Sequence, residues 1–193
     1  MKVQRLLHIR LLKRYTENML KLSASLKNLN VISLRSSGVV AIALEPIINP
    51  HNLKIIGWWC KSPMSTKNLV LLSDDIRDRL TNGLAINDED ELCAPEDLVR
   101  HKETLDINFD LSGKTVKTKR SKLGKVQDFS YNDGMFVQKL YVERPITKVF
   151  AAEDTLIIDR NQILEVTDNY ILIKDSEVKS TEGKFARAPA GAA

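Results

Sequence analysis

The chain has 193 residues, of which 43% are hydrophobic and 28% are charged, and its formal net charge at pH 7 is +4. This length supports one medium hydrophobic core or two small ones, and the apolar content excludes an intrinsically disordered chain. The apolar runs, such as VVAIAL and LVLL, have the length of strands and are too short to cross a bilayer as helices.

The positive charge is concentrated at the N-terminus. Residues 1–24 carry six lysines and arginines against one glutamate, whereas the other 169 residues carry 23 basic and 24 acidic residues. Leu7, Leu11, Tyr15 and Met19 recur at steps of four, which predicts a basic amphipathic helix over residues 1–22. Such a helix either packs on its own domain or binds a partner or an anionic membrane surface. Frequent basic residues make a secretory signal unexpected.

Residues 25–90 are predicted to form a first all-β unit. Short aliphatic and β-branched runs alternate there with turn-forming sequences such as SSG, NPHN and TNG. Pro46 and Pro50 bracket Ile47 and Ile48, where we expect strand pairing to stop. The predicted strands are NVISLR, GVVAIALE, LKIIGWWC, LVLLS and GLAIN.

Residues 91–111 are predicted to be an acidic link that contains a short helix. Pro95 suits the first turn of a helix, and the two acidic residues after it suit the positive end of the helix dipole. Leu98 and Leu105 follow at helical spacing. We therefore predict a helix over residues 95–104.

Residues 112–176 return to strand-like sequence, and residues 177–193 form a tail with too little apolar content to fold. Alternation along the second strand puts Val126 and Asp128 on one face and Gln127, Phe129 and Tyr131 on the other. An aspartate beside the valine favours a strand end or a bulge. The six predicted strands are KTVKTK, GKVQDFSYN, MFVQKLYVE, TLIID, QILEVT and YILIK.

The two β units match each other at a nearly constant spacing. This predicts a tandem duplication of a unit of about 60 residues. Closing each six-stranded sheet into a small barrel removes its exposed edges, and a glycine at the start of the second strand permits a tight hairpin corner. The matched pairs are Gly38 with Gly124, 86 residues apart, and Ile76 with Ile163 and Ile86 with Ile173, each 87 apart.

Eight residues of the second unit form a recognisable pattern: Gly113, Val116, Leu123, Gly124, Val126, Asp128, Ile163 and Ile173. On these residues the unit resembles a PRC-barrel domain, the small β-barrel shared by the cytoplasmic H subunit of the photosynthetic reaction centre and the C-terminal half of the bacterial maturation factor for the small ribosomal subunit. The resemblance implies two tandem PRC-type barrels over residues 28–175. It also implies docking onto protein or ribonucleoprotein partners, with no shared catalytic residues. The first unit matches less well, because Ser37 precedes Gly38 where Leu123 precedes Gly124.

A basic run opens the second unit, and three interpretations of it stay open. It is an exposed hairpin whose lysines prevent edge pairing, a hairpin that faces the acidic residues 88–91, or a binding patch for RNA phosphates or an acidic protein. Base stacking on RNA would use aromatic residues, and Phe129 and Tyr131 are the nearest ones. The basic residues are Lys114, Lys117, Lys119, Arg120, Lys122 and Lys125.

Two adjacent tryptophans form the second candidate contact. Trp58 and Trp59 lie next to each other in a predicted strand, so their rings point to opposite faces and at most one belongs to the core. The other ring either anchors a partner or fills the seam between the two units.

Catalytic and metal-binding patterns are absent from the sequence. It contains no GxSxG, HExxH, Walker or dinucleotide-binding motif, and the acidic residues near Arg77 and Arg79 are typical of a solvated turn. Cys60 and Cys93 form no CxxC pair, and the three histidines are scattered, which favours reduced thiols in the cytoplasm and no metal.

We therefore expect a cytoplasmic docking or scaffold module without enzymatic activity, cofactor or small-molecule substrate. One alternative is a ribosome- or RNA-associated maturation factor that uses the basic hairpin. The other is a peripheral membrane protein held by residues 1–22.

Overall fold

The structure is a computed structural model that describes residues 20–144 and 155–175. Most of the helix predicted over residues 1–22, and the whole of the predicted tail, lie outside these ranges. The last two residues of that predicted helix are instead strand β1 (Lys21–Leu22), and a 3-10 turn, Ser23–Leu26, follows it.

The first half of the described chain forms one mixed sheet. Its strands are β2 (Leu29–Ser33), β3 (Gly38–Ile48), β4 (Ile55–Lys61), β5 (Leu69–Leu72), β6 (Asp78–Leu80), β7 (Gly83–Ile86) and β8 (Leu92–Cys93). Their order across the sheet is β6-β7-β2-β3-β4-β5-β8, and only β2 and β7 pair in parallel. All five predicted strands are confirmed. The sequence missed the two short edge strands, β6 and β8, and β8 lies inside the predicted link.

The second half repeats this topology. Its strands are β9 (Thr115–Lys117), β10 (Lys122–Tyr131), β11 (Val137–Glu143), β12 (Thr155–Asp159), β13 (Ile163–Val166) and β14 (Tyr170–Ile173). All six predicted strands are confirmed. Their order is β12-β11-β10-β9-β14-β13, with β9 and β14 parallel, and β1 adds to β10 as a seventh strand. Strands β2–β7 therefore correspond one to one to β9–β14.

The protein is mainly β, as predicted, but closed barrels stay a prediction. Within the two described ranges each hydrogen-bonded ladder is open. Strands β6 and β8 end the first ladder, and β12 and β13 end the second.

The strand register corrects the predicted pairing of the two glycines. Val31 pairs with Ala41 in the first half, and the corresponding Val116 pairs with Gly124 in the second, so Gly124 corresponds to Ala41 and not to Gly38. A Cβ on Gly124 would lie 2.0 Å from the carbonyl oxygen of Glu143, whereas one on Gly38 would have its nearest neighbour at 3.9 Å. Gly124 is therefore needed where β10 approaches β11, and not at a hairpin corner.

A β-bulge corrects the predicted faces of β10. The register shifts between Val126 and Asp128, and the same shift occurs at the corresponding Ala43 and Glu45 of β3. Beyond the bulge the alternation changes phase, so Phe129 is buried with Val126 rather than opposite it. Tyr131 is buried in the same way. The conserved position of the bulge in both halves supports the duplication.

Two smaller predictions need correction. Strand β3 continues through Pro46, which pairs with Trp58 on one side, while the pairing of β3 with β2 ends at Ala43. Proline is tolerated there because its nitrogen needs no ladder partner on the unpaired side. The link helix starts later than predicted: residues 95–97 and 99–101 are 3-10 turns, and helix α1 spans Lys102–Ile107.

The two halves meet at a seam formed by corresponding residues, Leu53–Ile55 and Met135–Val137. The Ile55 amide donates to the Met135 carbonyl at 2.7 Å, and the Val137 amide donates to the Leu53 carbonyl at 3.0 Å. Leu53 and Met135 both have left-handed backbones, with φ of 52° and 62°. This reciprocal pairing has the symmetry of a two-fold dimer interface within one chain. A single cluster of buried side chains runs through both halves.

Candidate partner-binding surface

The predicted basic run forms the β9–β10 hairpin, and we call residues 114–125 the basic hairpin. Lys119, Arg120, Lys122 and Lys125 are exposed on it. The Arg120 Nε lies 3.1 Å from a carboxylate oxygen of Asp175, and this is the hairpin's one ion pair among the described residues. A dense positive surface therefore faces solvent.

The other two lysines of the hairpin are held against their own half. The Lys114 Nζ donates to the Asp168 carbonyl at 2.5 Å and lies 4.3 Å from the ring centre of Phe109. The Lys117 Nζ lies 3.4 Å from the ring centre of Tyr170. These cation–π contacts give both lysines a structural role.

The acidic residues 88–91 have partners of their own. Arg35 donates a hydrogen bond to Asp88, and this bond lowers the pKa of that carboxyl group. The Glu91 carboxylate accepts two hydrogen bonds from Asn87. The backbone amide of Asn87 donates one at 2.9 Å, and its side-chain Nδ2 donates the other at 2.8 Å. Among the described residues, no ion pair joins these acidic residues to the basic hairpin, and the intramolecular interpretation of the hairpin therefore has no support.

The two tryptophans point to opposite faces of β4, as predicted. Trp58 is fully buried in the main core, and its Nε1 donates to the Leu26 carbonyl at 2.9 Å. Trp59 is half-buried in a second cluster with Leu98 and Leu105 of the link. Leu105 of helix α1 belongs to this cluster, so Trp59 packs on the link, whereas the seam residues Leu53 and Ile55 belong to the main core.

The corresponding hairpin of the first half, β2–β3, has a different surface. Ile32 and Ile42 occupy the positions of Lys117 and Lys125. Ile42 is 43% exposed, and the nearby Val39 is 56% exposed. The same backbone therefore presents apolar side chains in one half and cations in the other.

The candidate catalytic and metal-binding groups of the described residues are scattered. No group of three or more potential metal ligands occurs in residues 20–144 and 155–175. Burial raises the pKa of the Cys60 thiol to about 12, so this cysteine is a poor nucleophile. Asp74 pairs with Lys54 at 3.6 Å, and burial together with nearby carboxylates raises the pKa of Asp75. In this part of the chain, no helix has the length and apolar content to cross a membrane.

The sequence missed a cleft at the seam. This cavity of about 480 Å³ brings Lys21, Lys54, Arg77 and Arg79 together with Asp133. These residues come from four distant segments, so no local pattern predicts that they meet. The only sequence signal was the pair of arginines, which resembled a solvated turn.

No protein-family model matches this chain, and no curated protein matches it. The resemblance to PRC-barrel domains therefore stays an expectation based on the quoted residues.

Proposed function

We propose that this protein is a non-enzymatic docking module whose basic hairpin binds an acidic surface of a protein or ribonucleoprotein partner. The exposure of Lys119, Arg120, Lys122 and Lys125, with a single ion pair among them, is the observation that supports this most directly. Clustered cations on a hairpin accelerate and orient association with an acidic surface.

In this proposal each half is a PRC-type barrel that acts as a rigid support. The shared strand order of the two halves and the backbone pairing at the seam favour this view. Together they hold the hairpin in a fixed orientation. We place the protein in the cytoplasm, in keeping with its two free thiols.

The contacts favour an acidic protein surface over RNA bases. Phe109, Phe129 and Tyr131, the aromatic residues nearest the hairpin in sequence, are buried and unavailable for base stacking. The half-buried ring of Tyr170 is occupied by Lys117, so RNA would be held mainly through its phosphates. Membrane attachment through residues 1–22 concerns residues that lie almost wholly outside the described ranges, and it stays a separate prediction.

The test compares the intact chain with Lys119→Glu/Lys122→Glu in affinity capture, with bound partners identified by mass spectrometry. The matched control, Lys67→Glu/Lys102→Glu, makes the same charge change at exposed lysines elsewhere. We expect a partner that binds the wild type and the control to lose at least tenfold in affinity for the hairpin variant. Equal binding by all three proteins would disprove the role of the hairpin.

The same variants separate an RNA partner from a protein partner. Purified partner protein and its RNA are titrated separately at rising salt concentrations. If RNA phosphates carry the binding, the logarithm of the affinity falls steeply and linearly with the logarithm of the salt concentration. Binding to the RNA-free protein, lost in the hairpin variant, is the result we expect.

A further inference from the structure

Two corresponding clefts open at the seam, and they differ in charge. The basic cleft is lined by Lys21, Lys54, Asp74, Arg77, Asp78, Arg79 and Asp133, with Ser73, Ile76, Gly134 and Met135. The second cleft is lined by Pro50, His51, Asn52, Leu53, Arg160, Ile163, Leu164, Glu165 and Val166. Four cations face three carboxylates in the first, and one cation faces one carboxylate in the second.

The strand register identifies which residues correspond. Arg79 pairs with Leu84 on β7, and Val166 pairs with Ile171 on β14, which is the counterpart of Leu84. Two residues earlier, Arg77 corresponds to Leu164. The second half folds with Leu164 and Val166 at these positions, so the fold itself does not require arginines there.

The carboxylates of the basic cleft already have partners. Asp133 accepts from the Lys21 Nζ at 2.9 Å, and Asp74 lies 3.6 Å from the Lys54 Nζ. Asp78 accepts from the backbone amide of Arg79 at 2.8 Å.

The two guanidinium groups, in contrast, have no carboxylate partner among the described residues. Arg77 is exposed. Arg79 is half-buried and lies 5.9 Å from the ring centre of Tyr131. A partly desolvated cation without a counter-ion is unfavourable, and an anion would stabilise it.

We propose that the basic cleft binds a phosphate group of a small ligand through Arg77 and Arg79, while Lys21 and Lys54 neutralise the carboxylates of Asp133 and Asp74. The planar fork of arginine matches phosphate oxygens in pairs, and Arg77 and Arg79 both line this cleft. A volume of about 480 Å³ is within the range of small-molecule sites. This site is separate from the basic hairpin and does not depend on the docking function.

The experiment titrates the full chain with inorganic pyrophosphate at constant ionic strength and follows binding by calorimetry and by amide chemical shifts. The key variant, Arg77→Leu/Arg79→Val, installs the residues of the second cleft. The control Lys119→Glu/Lys122→Glu removes charge from the basic hairpin instead. We expect pyrophosphate to bind the wild type and the control, and to bind the key variant at least tenfold more weakly.

A second arm uses a short single-stranded oligoribonucleotide to identify the source of the phosphate. Binding of pyrophosphate without the oligonucleotide supports a small ligand. Binding of the oligonucleotide alone, lost in the key variant, would overturn the small-ligand assignment in favour of a nucleic-acid backbone.

Equal affinity of pyrophosphate for all three proteins, or no binding to the wild type, would overturn the site itself. If the key variant fails to fold, Arg79→Gln replaces it. A chemical-shift change at the Arg79 side chain of the wild type then reports the same contact directly.

Discussion

The two halves of this protein share a backbone and differ in the surfaces they present. Strand order, the bulge after Ala43 and after Val126, and the left-handed residues at the seam recur in both. The hairpin of one half differs in charge from the hairpin of the other, and the two clefts at the seam differ in the same way. Positions that fill the interior are constrained by packing, whereas outward positions can change without loss of the fold, so the differences in charge between the copies show which surfaces the fold itself does not require.

The interior also differs in detail while keeping its pattern. Trp58 corresponds to Leu140, and Cys60 corresponds to Val142, and all four side chains are fully buried. The first half fills this layer with one large ring, and the second fills it with aliphatic side chains. Substitutions at corresponding positions therefore test how far the two cores are equivalent.

The largest effect is expected for Trp58→Ala. Removing this fully buried ring leaves a cavity and leaves the Leu26 carbonyl without its hydrogen-bond donor, at a cost of about 3–5 kcal/mol. Its counterpart, Leu140→Ala, is expected to cost about 2–5 kcal/mol. Urea unfolding followed by circular dichroism measures both. A loss below about 1 kcal/mol for Trp58→Ala would contradict its place in the main core.

The next largest effect distinguishes Gly38 from Gly124, which the sequence comparison placed at corresponding positions. Gly124→Ala places a methyl group against the backbone of Glu143 and is expected to cost about 2–3 kcal/mol. Gly38→Ala has open space and is expected to be neutral or slightly stabilising, because alanine restricts the unfolded chain. Thermal unfolding of the two variants side by side measures the difference. Equal effects would restore the predicted equivalence of the two glycines.

A smaller effect of opposite sign is expected at Ser130, which corresponds to the apolar Ile47. Its hydroxyl group is buried and has no hydrogen-bond partner in residues 20–144 and 155–175, so Ser130→Ala is expected to stabilise the protein by about 1 kcal/mol. The control is Ser33→Ala, because the buried Ser33 hydroxyl accepts from the Ser36 amide at 3.2 Å, and its loss should destabilise by about 1 kcal/mol. If both variants shift the urea midpoint in the same direction, the hydroxyl of Ser130 has a partner.

The sequence predicted the long strands because apolar runs between turn formers are local signals. It indicated the bulge at Gln127 only indirectly, because Asp128 beside Val126 favoured either a strand end or a bulge, and the fit of β10 to β11 decides between them. The predicted correspondence of Gly38 with Gly124 was wrong for a related reason. Aligning two short segments by composition ignores the strand pairing that decides which backbone atoms approach each other.

The candidate surfaces were predictable only in part. The cluster of cations was visible in the sequence. The difference between Lys117, held by Tyr170, and the exposed Lys122 depends on a residue 53 positions further along the chain. The basic cleft was not predictable, because Lys21 and Arg79 become neighbours only when the two halves pair. Trp59 was assigned a role without knowledge that the link would fold over it.

The smallest effect concerns the β2–β3 hairpin, where Arg35 bonds to Asp88. This bond lowers the pKa of Asp88 in the folded protein, so the unfolded chain binds more protons as the pH falls through the ordinary range of aspartate. The stabilisation is thus fully present at pH values above the pKa of Asp88 in the unfolded chain. It is lost as the pH falls through the lower pKa of Asp88 in the folded protein. Both groups are exposed, so we expect Arg35→Ala to lower the melting temperature slightly at pH 7 and to match the wild type in strong acid. The control variant Arg100→Ala, at another exposed arginine, should show no such pH dependence of the melting temperature. A difference in melting temperature between Arg35→Ala and the wild type that stays constant across the acid range would contradict the ion pair.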